Sequence, residues 1–185
     1  MLDTVKNQFV NGLDLAALTA EIEAIEKDSS QALVGFNVTT RWTGQCRSES
    51  IVDGFTMAGE RIARTHKIVA DEPCELLGGD SAPNPQELLI SAVNACMVVA
   101  YVAQATLRGV RLVACRIETE AELDMRGFLG LDEAVPSGCR RIRYSVTLDG
   151  DGSREQYEEI HQAVMTTSPN YFNMCQPVQM IGRLV

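Results

Sequence analysis

Apolar and polar positions along the chain alternate between a helical and an extended period. Leu15, Leu18, Ile22 and Ile25 recur on one helical face behind Asp14, while Glu21, Glu23, Glu26 and Lys27 fall on the other, which predicts a helix ending near Asp28-Ser29-Ser30. From Ala32 to Trp42 the period shortens to that of a strand. Thr43-Gly44-Gln45 then marks a turn into a second strand through Ile51 and Val52, ended by Asp53-Gly54. A third strand is predicted over Arg61 to Val69, followed by a loop punctuated by Pro73, Gly78, Gly79, Pro83 and Pro85.

Asn84-Pro85-Gln86-Glu87 is the strongest local signal: a capping side chain, a proline at the first helical position and a carboxylate at the third. The helix it starts is predicted to run to about Arg108, with Gly109 at its C-terminal cap. Leu88 to Val102 is apolar almost all round, so this helix is expected to lie centrally. Ser91, Asn94, Gln104 and Thr106 interrupt the stretch and speak against a membrane span. Strands are predicted at Arg111 to Leu123 and Arg140 to Leu148, then a turn over Asp149 to Gly152, a helix capped by Ser153 with Gln156 at its third position, and a last strand over Val178 to Leu184. Strands in short-linked groups between helices point to an α+β fold with antiparallel pairing.

Composition narrows the function. The 185 residues fit one domain, 45% hydrophobic and 22% charged. Sixteen basic against twenty-five acidic residues, a net charge of -9, oppose a nucleic-acid surface, which needs clustered Lys and Arg. The first thirty residues lack the basic start and apolar core of a secretion signal, so a cytoplasmic location is expected. Six cysteines at 46, 74, 96, 115, 139 and 175, with no CxxC, argue against a disulfide framework or a zinc site.

Other motifs have ordinary readings. Asp149-Gly150-Asp151-Gly152-Ser153 starts like a calcium loop, but Arg154 stands where the sharp-turn glycine belongs, so a hairpin-like turn is expected. His66 and His161 have no partner at ligand spacing and read as structural or solvated. Glu87 is explained as a capping residue, and Cys96 alone reads as a core cysteine.

Asp71-Glu72-Pro73, Leu77-Gly78-Gly79-Asp80, Pro83-Asn84-Pro85, Glu87-Leu88-Leu89 and Ala95-Cys96 together resemble the OsmC/Ohr family pattern leading into a long central helix. The resemblance covers roughly residues 32–185 and leaves 1–31 as an N-terminal helical extension. It implies an intertwined homodimer with antiparallel sheets around long central helices. It also implies reduction of organic hydroperoxides by a thiolate at the position of Cys96, assisted by a glutamate, carried over to Glu87, and an arginine, for which Arg47 is the first choice and Arg64 the second. No cofactor or metal is implied.

The chain departs from the family at the second cysteine. The Cys-Pro step that would resolve a sulfenic acid reads Ser168-Pro169 here, so an external thiol reductant is expected to take its place. Cys175 lies seven residues further on, about 10 Å along a continuing helix. Met97, Val98 and Tyr101 are expected as apolar walls for a hydrophobic peroxide. The alternative function is a dimeric scaffold that binds a small apolar molecule or a protein partner without redox turnover.

Overall fold

A computed structural model describes residues 9–185. They fall into two compact units, one up to Ser91 and the other Ala92–Val185. In the first unit a short antiparallel hairpin, β1 (Phe9–Val10) and β2 (Leu13–Asp14), precedes helix α1 (Leu15–Lys27). Asp14 caps α1 as its position predicts, accepting from the Ala16 and Ala17 N–H groups at 3.0 and 3.2 Å. The predicted extension therefore holds a hairpin and a helix, and its first eight residues lie outside the described ones.

The extended segment predicted over Ala32 to Trp42 divides into β3 (Val34–Phe36) and β4 (Thr39–Gly44) after a 3-10 turn at Ser29–Ala32. Both pair antiparallel with one edge of β5 (Arg47–Met57), β4 with its first half and β3 with its second. The other edge of β5 pairs with β6 (Glu60–Ala70). Asp53-Gly54 does not end the strand, contrary to the sequence expectation. The register shifts between Val52 and Gly54, and Gly54 has φ +154°. A Cβ there would meet the Ile62 carbonyl oxygen at 2.6 Å, so glycine lets the two backbones approach within a bulge. The strand reverses instead at Ala58-Gly59, both with positive φ, as a two-residue hairpin turn requires.

Helix α2 (Pro85–Leu107) is unbroken, and its length and composition would also suit a membrane span. It ends as predicted: Gly109 has φ +70°, its N–H reaches the Thr106 carbonyl, and the Val110 N–H reaches that of Ala105. In the second unit β7 (Leu112–Ala121) and β8 (Ile142–Gly150) form an antiparallel pair, with a short helix α3 (Met125–Phe128) in the connection. Helix α4 (Arg154–Thr167) starts with the Ser153/Gln156 capping box, and α5 (Pro169–Cys175) follows after Ser168.

The core of this unit follows from two periods. Met97, Tyr101 and Ala105 are spaced by four on α2, and Ile160 and Val164 by four on α4; all are buried. Cys115 and Ile117 of β7 and Tyr144, Val146 and Leu148 of β8, spaced by two, pack against them. Burying each large apolar side chain in this cluster contributes about 1.5–3 kcal/mol.

The predicted last strand is absent. Residues 177–185 have no regular structure, and Met180, Ile181 and Leu184 are exposed. An alternating pattern makes a strand only where a neighbouring edge accepts its backbone hydrogen bonds, and among the described residues β7 and β8 pair only with each other.

Candidate functional site

Cys96 lies about three turns into α2 and is half-buried, less enclosed than the apolar surroundings in sequence suggest. Its surroundings in the second unit are partly polar. Ser168 closes the C-terminus of α4, where its N–H donates to the Val164 carbonyl at 2.9 Å, and stands immediately before Pro169 of α5. Its side chain is 1% exposed, and its hydroxyl donates to the Cys96 sulfur at 3.4 Å.

A second bond fixes the same turn. The Asn170 side-chain amide donates to the Ala92 carbonyl at 2.9 Å, the carbonyl one turn before Cys96. Further round α2, the Thr119 hydroxyl of β7 donates to the Asn94 side-chain oxygen at 2.8 Å. Neutral groups thus hold the thiol-bearing turn from two sides, and one of them meets the sulfur.

Cys175 stands at the far end of α5, six residues of continuous helix from Pro169, and is exposed. Asn170 to Met174 are helical, so the chain does not fold back between Ser168 and Cys175. The other cysteines are also free thiols: Cys46 and Cys74 are exposed, and Cys115 and Cys139 half-buried. Burial pushes the Cys115 thiol up, which makes it less reactive.

Glu87 and Arg47 lie in the first unit. The Glu87 carboxylate accepts from the Asn84 N–H and its own N–H donates to the Asn84 side-chain oxygen, both at 2.8 Å, completing the reciprocal cap that the spacing predicts. Arg47 opens β5 with its guanidinium 3.0 Å from the Glu49 carboxylate, which Lys67 also approaches at 2.7 Å. Those two cations, Lys67 foremost through its hydrogen bond, hold the Glu49 carboxyl below its ordinary range. The second-choice Arg64 lies over the Phe55 ring, 4.8 Å from its centroid.

The loop leading to α2 is organised by Asp71, which is 2% exposed. It accepts from the Ser81 hydroxyl at 2.7 Å, the Ser81 N–H at 3.1 Å and the Glu72 N–H at 2.9 Å. These bonds, led by the Ser81 hydroxyl, lower its carboxyl to about 2. Gly78 of the same loop packs on the Glu72 backbone so closely that a Cβ would overlap it.

Two of the three expected substrate walls are core residues. Met97 and Tyr101 are 1% and 0% exposed, because their four-residue spacing puts them on the helix face that meets α4. Sequence reasoning also missed the partner of His161. The Tyr101 hydroxyl lies 2.5 Å from His161 Nδ1, with the two rings stacked, on the wall of a groove of about 630 Å³ that Tyr144 and Tyr157 also line. Burial raises the Tyr101 hydroxyl well above the ordinary phenol range, so it stays protonated, and the tautomer of His161 sets which of the two donates. Asp151, from the calcium-like motif, instead accepts from the Arg111 N–H at 2.7 Å and serves the turn.

Comparison with known proteins gives this arrangement its context. A search of curated protein sequences finds no match. Among solved structures, an OsmC-like protein from Mycoplasma pneumoniae aligns with a TM-score of 0.60 at 13% identity, covering 76% of this chain and 86% of that one. An OsmC-like protein of unknown function from Vibrio cholerae aligns with a TM-score of 0.55 at 12% identity, covering 74% and 90%. These likenesses establish the α+β fold. The family model for OsmC-like proteins matches residues 78–180, more than half of the chain and including Cys96 and Ser168, so the chain belongs to the OsmC-like protein family.

Proposed function

We propose that this chain is a one-cysteine thiol peroxidase that reduces organic hydroperoxides in the cytoplasm. The observation that carries the reading is the Ser168–Cys96 contact. The residue that meets the sulfur of the family helix is a serine, at the step where the family resemblance implies a resolving cysteine.

The chemistry starts from the Cys96 thiolate, which attacks one peroxide oxygen and transfers two electrons into the O–O bond. That bond breaks, the sulfur becomes a sulfenic acid, and the alkoxide leaves as an alcohol after taking up a proton. Ser168 has no thiol to condense with the sulfenic acid. An external thiol therefore forms a mixed disulfide with loss of water, and a second thiol releases Cys96.

A cation favours the thiolate, and Arg47 is the first candidate, with Glu87 as its anchor. Arg47 is tied to Glu49 and Glu87 to the Asn84 N–H, each through part of its hydrogen-bonding capacity. A homodimer offers a second source of such groups. Val99 of the apolar helix α2 is 69% exposed and Leu89 is 42% exposed, as expected of surfaces that a second copy covers.

The test is consumption of an alkyl hydroperoxide with a dithiol reductant by the native chain and by Cys96→Ser. The variant should fall to the uncatalysed rate; equal rates would remove the proposal. A non-catalytic scaffold is the second reading, favoured by the neutral partner of Cys96 and the engaged Arg47. It predicts no peroxide consumption by the native chain.

A further inference from the structure

We infer that Ser168 tunes the reactivity of Cys96, acting as a built-in hydrogen-bond donor to its thiolate and then to its sulfenic acid. The inference rests on the reading of Cys96 as the reacting thiol and goes beyond it, because it gives Ser168 a positive role.

Three observations carry it. First, Ser168 is buried at 1% exposure, so its hydroxyl does not exchange its partner for water, and the sulfur is that partner. Second, Ser168 is the N-cap residue of α5 with proline following, a position where a serine oxygen ordinarily accepts from an N–H of the first helical turn. It makes no such bond here. The hydroxyl is directed to Cys96 instead of to its own helix. Third, the Asn170 amide anchors α5 to the Ala92 carbonyl, so the hydroxyl and the sulfur are held in register from both elements.

The electrostatics give this contact a direction. A thiol sulfur is a weak acceptor and a thiolate a strong one, so a donor fixed at the sulfur stabilises the charged form more than the neutral form. No proton is transferred to Ser168; its O–H only orients. After attack on the peroxide the same hydroxyl can donate to the sulfenic oxygen, which holds the intermediate until an external thiol arrives.

The experiment measures the rate of iodoacetamide alkylation at Cys96 against pH, resolved from the other five cysteines by peptide mass spectrometry. It compares the native chain, Ser168→Ala, Ser168→Thr and the neighbouring control Thr167→Ala, whose hydroxyl serves only the Ala163 carbonyl. Ser168→Ala should move the profile to higher pH by about one unit and slow alkylation at neutral pH about tenfold. Ser168→Thr keeps the hydroxyl and should stay within about threefold of native, and Thr167→Ala should overlay it.

An alanine profile that overlays the native one would overturn the inference and reduce Ser168 to a packing residue. A threonine variant as slow as alanine would do the same. Alkylation requires no peroxide, so failure here is separable from failure of the peroxidase reading. A displaced alanine profile without peroxide consumption would support the donor role and remove the peroxidase.

Discussion

The Ser168 hydroxyl lies 3.4 Å from the Cys96 sulfur although 72 residues separate them in the chain. The contact joins the end of α4 to the middle of α2, and on the proposed reading it sets what an oxidised Cys96 can do next.

A thiol in place of the Ser168 hydroxyl should therefore trap the oxidised site. Sulfur at that position starts within reach of a disulfide by small rotations of both side chains. One equivalent of organic hydroperoxide should convert Ser168→Cys to a form in which Cys96 is bridged to the introduced thiol. The native chain should give a sulfenic acid that a dimedone-type reagent captures, and excess peroxide should drive it to sulfinic acid. Intact-mass and peptide mass spectrometry distinguish these species. A Cys96–Cys175 bridge in the native chain would make Cys175 the resolving thiol and overturn the one-cysteine reading.

Asp71 predicts a particular acid sensitivity. Its carboxyl is held at about 2 in the folded chain, below its ordinary value near 4, so its charged form favours folding. That contribution is fully present above pH ~4 and is lost as the pH falls from about 4 towards 2. Denaturant midpoints measured from pH 7 down to pH 2 should fall more steeply for the native chain than for Asp71→Asn across this window. Parallel curves would show that the loop bonds do not couple to folding.

Removing one oxygen from the core gives a test of the second unit. Tyr101→Phe keeps the ring in the cluster but deletes the hydroxyl that pairs with His161 Nδ1. The loss of this part-buried bond should cost about 1–2 kcal/mol. In urea the midpoint should fall with little change in slope. An unchanged midpoint would mean that water replaces the hydroxyl without cost.

Helix ends were the most legible part of the sequence. Asp14, the Asn84/Glu87 pair, the Ser153/Gln156 pair and Gly109 act over three or four residues, so the groups that satisfy each terminus are adjacent in the chain. Resemblance to a known family added Cys96 and the meaning of Ser168-Pro169, which periodicity could not supply. The sequence was misleading at Asp53-Gly54, where a glycine makes a bulge as readily as a turn, and only the paired strand β6 decides between them. It was misleading again at residues 178–184, where the alternation is present but no edge among the described residues receives it.

By itself, then, the sequence determined the α+β class, the antiparallel grouping, the long apolar helix and the place of a cysteine on it. Only the tertiary structure decided that Ser168 meets Cys96, that Cys175 ends an unbroken α5, that Met97 and Tyr101 face the core and that the Tyr101 hydroxyl pairs with His161. The reason is physical. Caps and periodic faces are set by backbone geometry within one or two turns, whereas contacts across 60 or 72 residues depend on how α2, α4 and the β7–β8 pair share one core, and no local pattern encodes that packing.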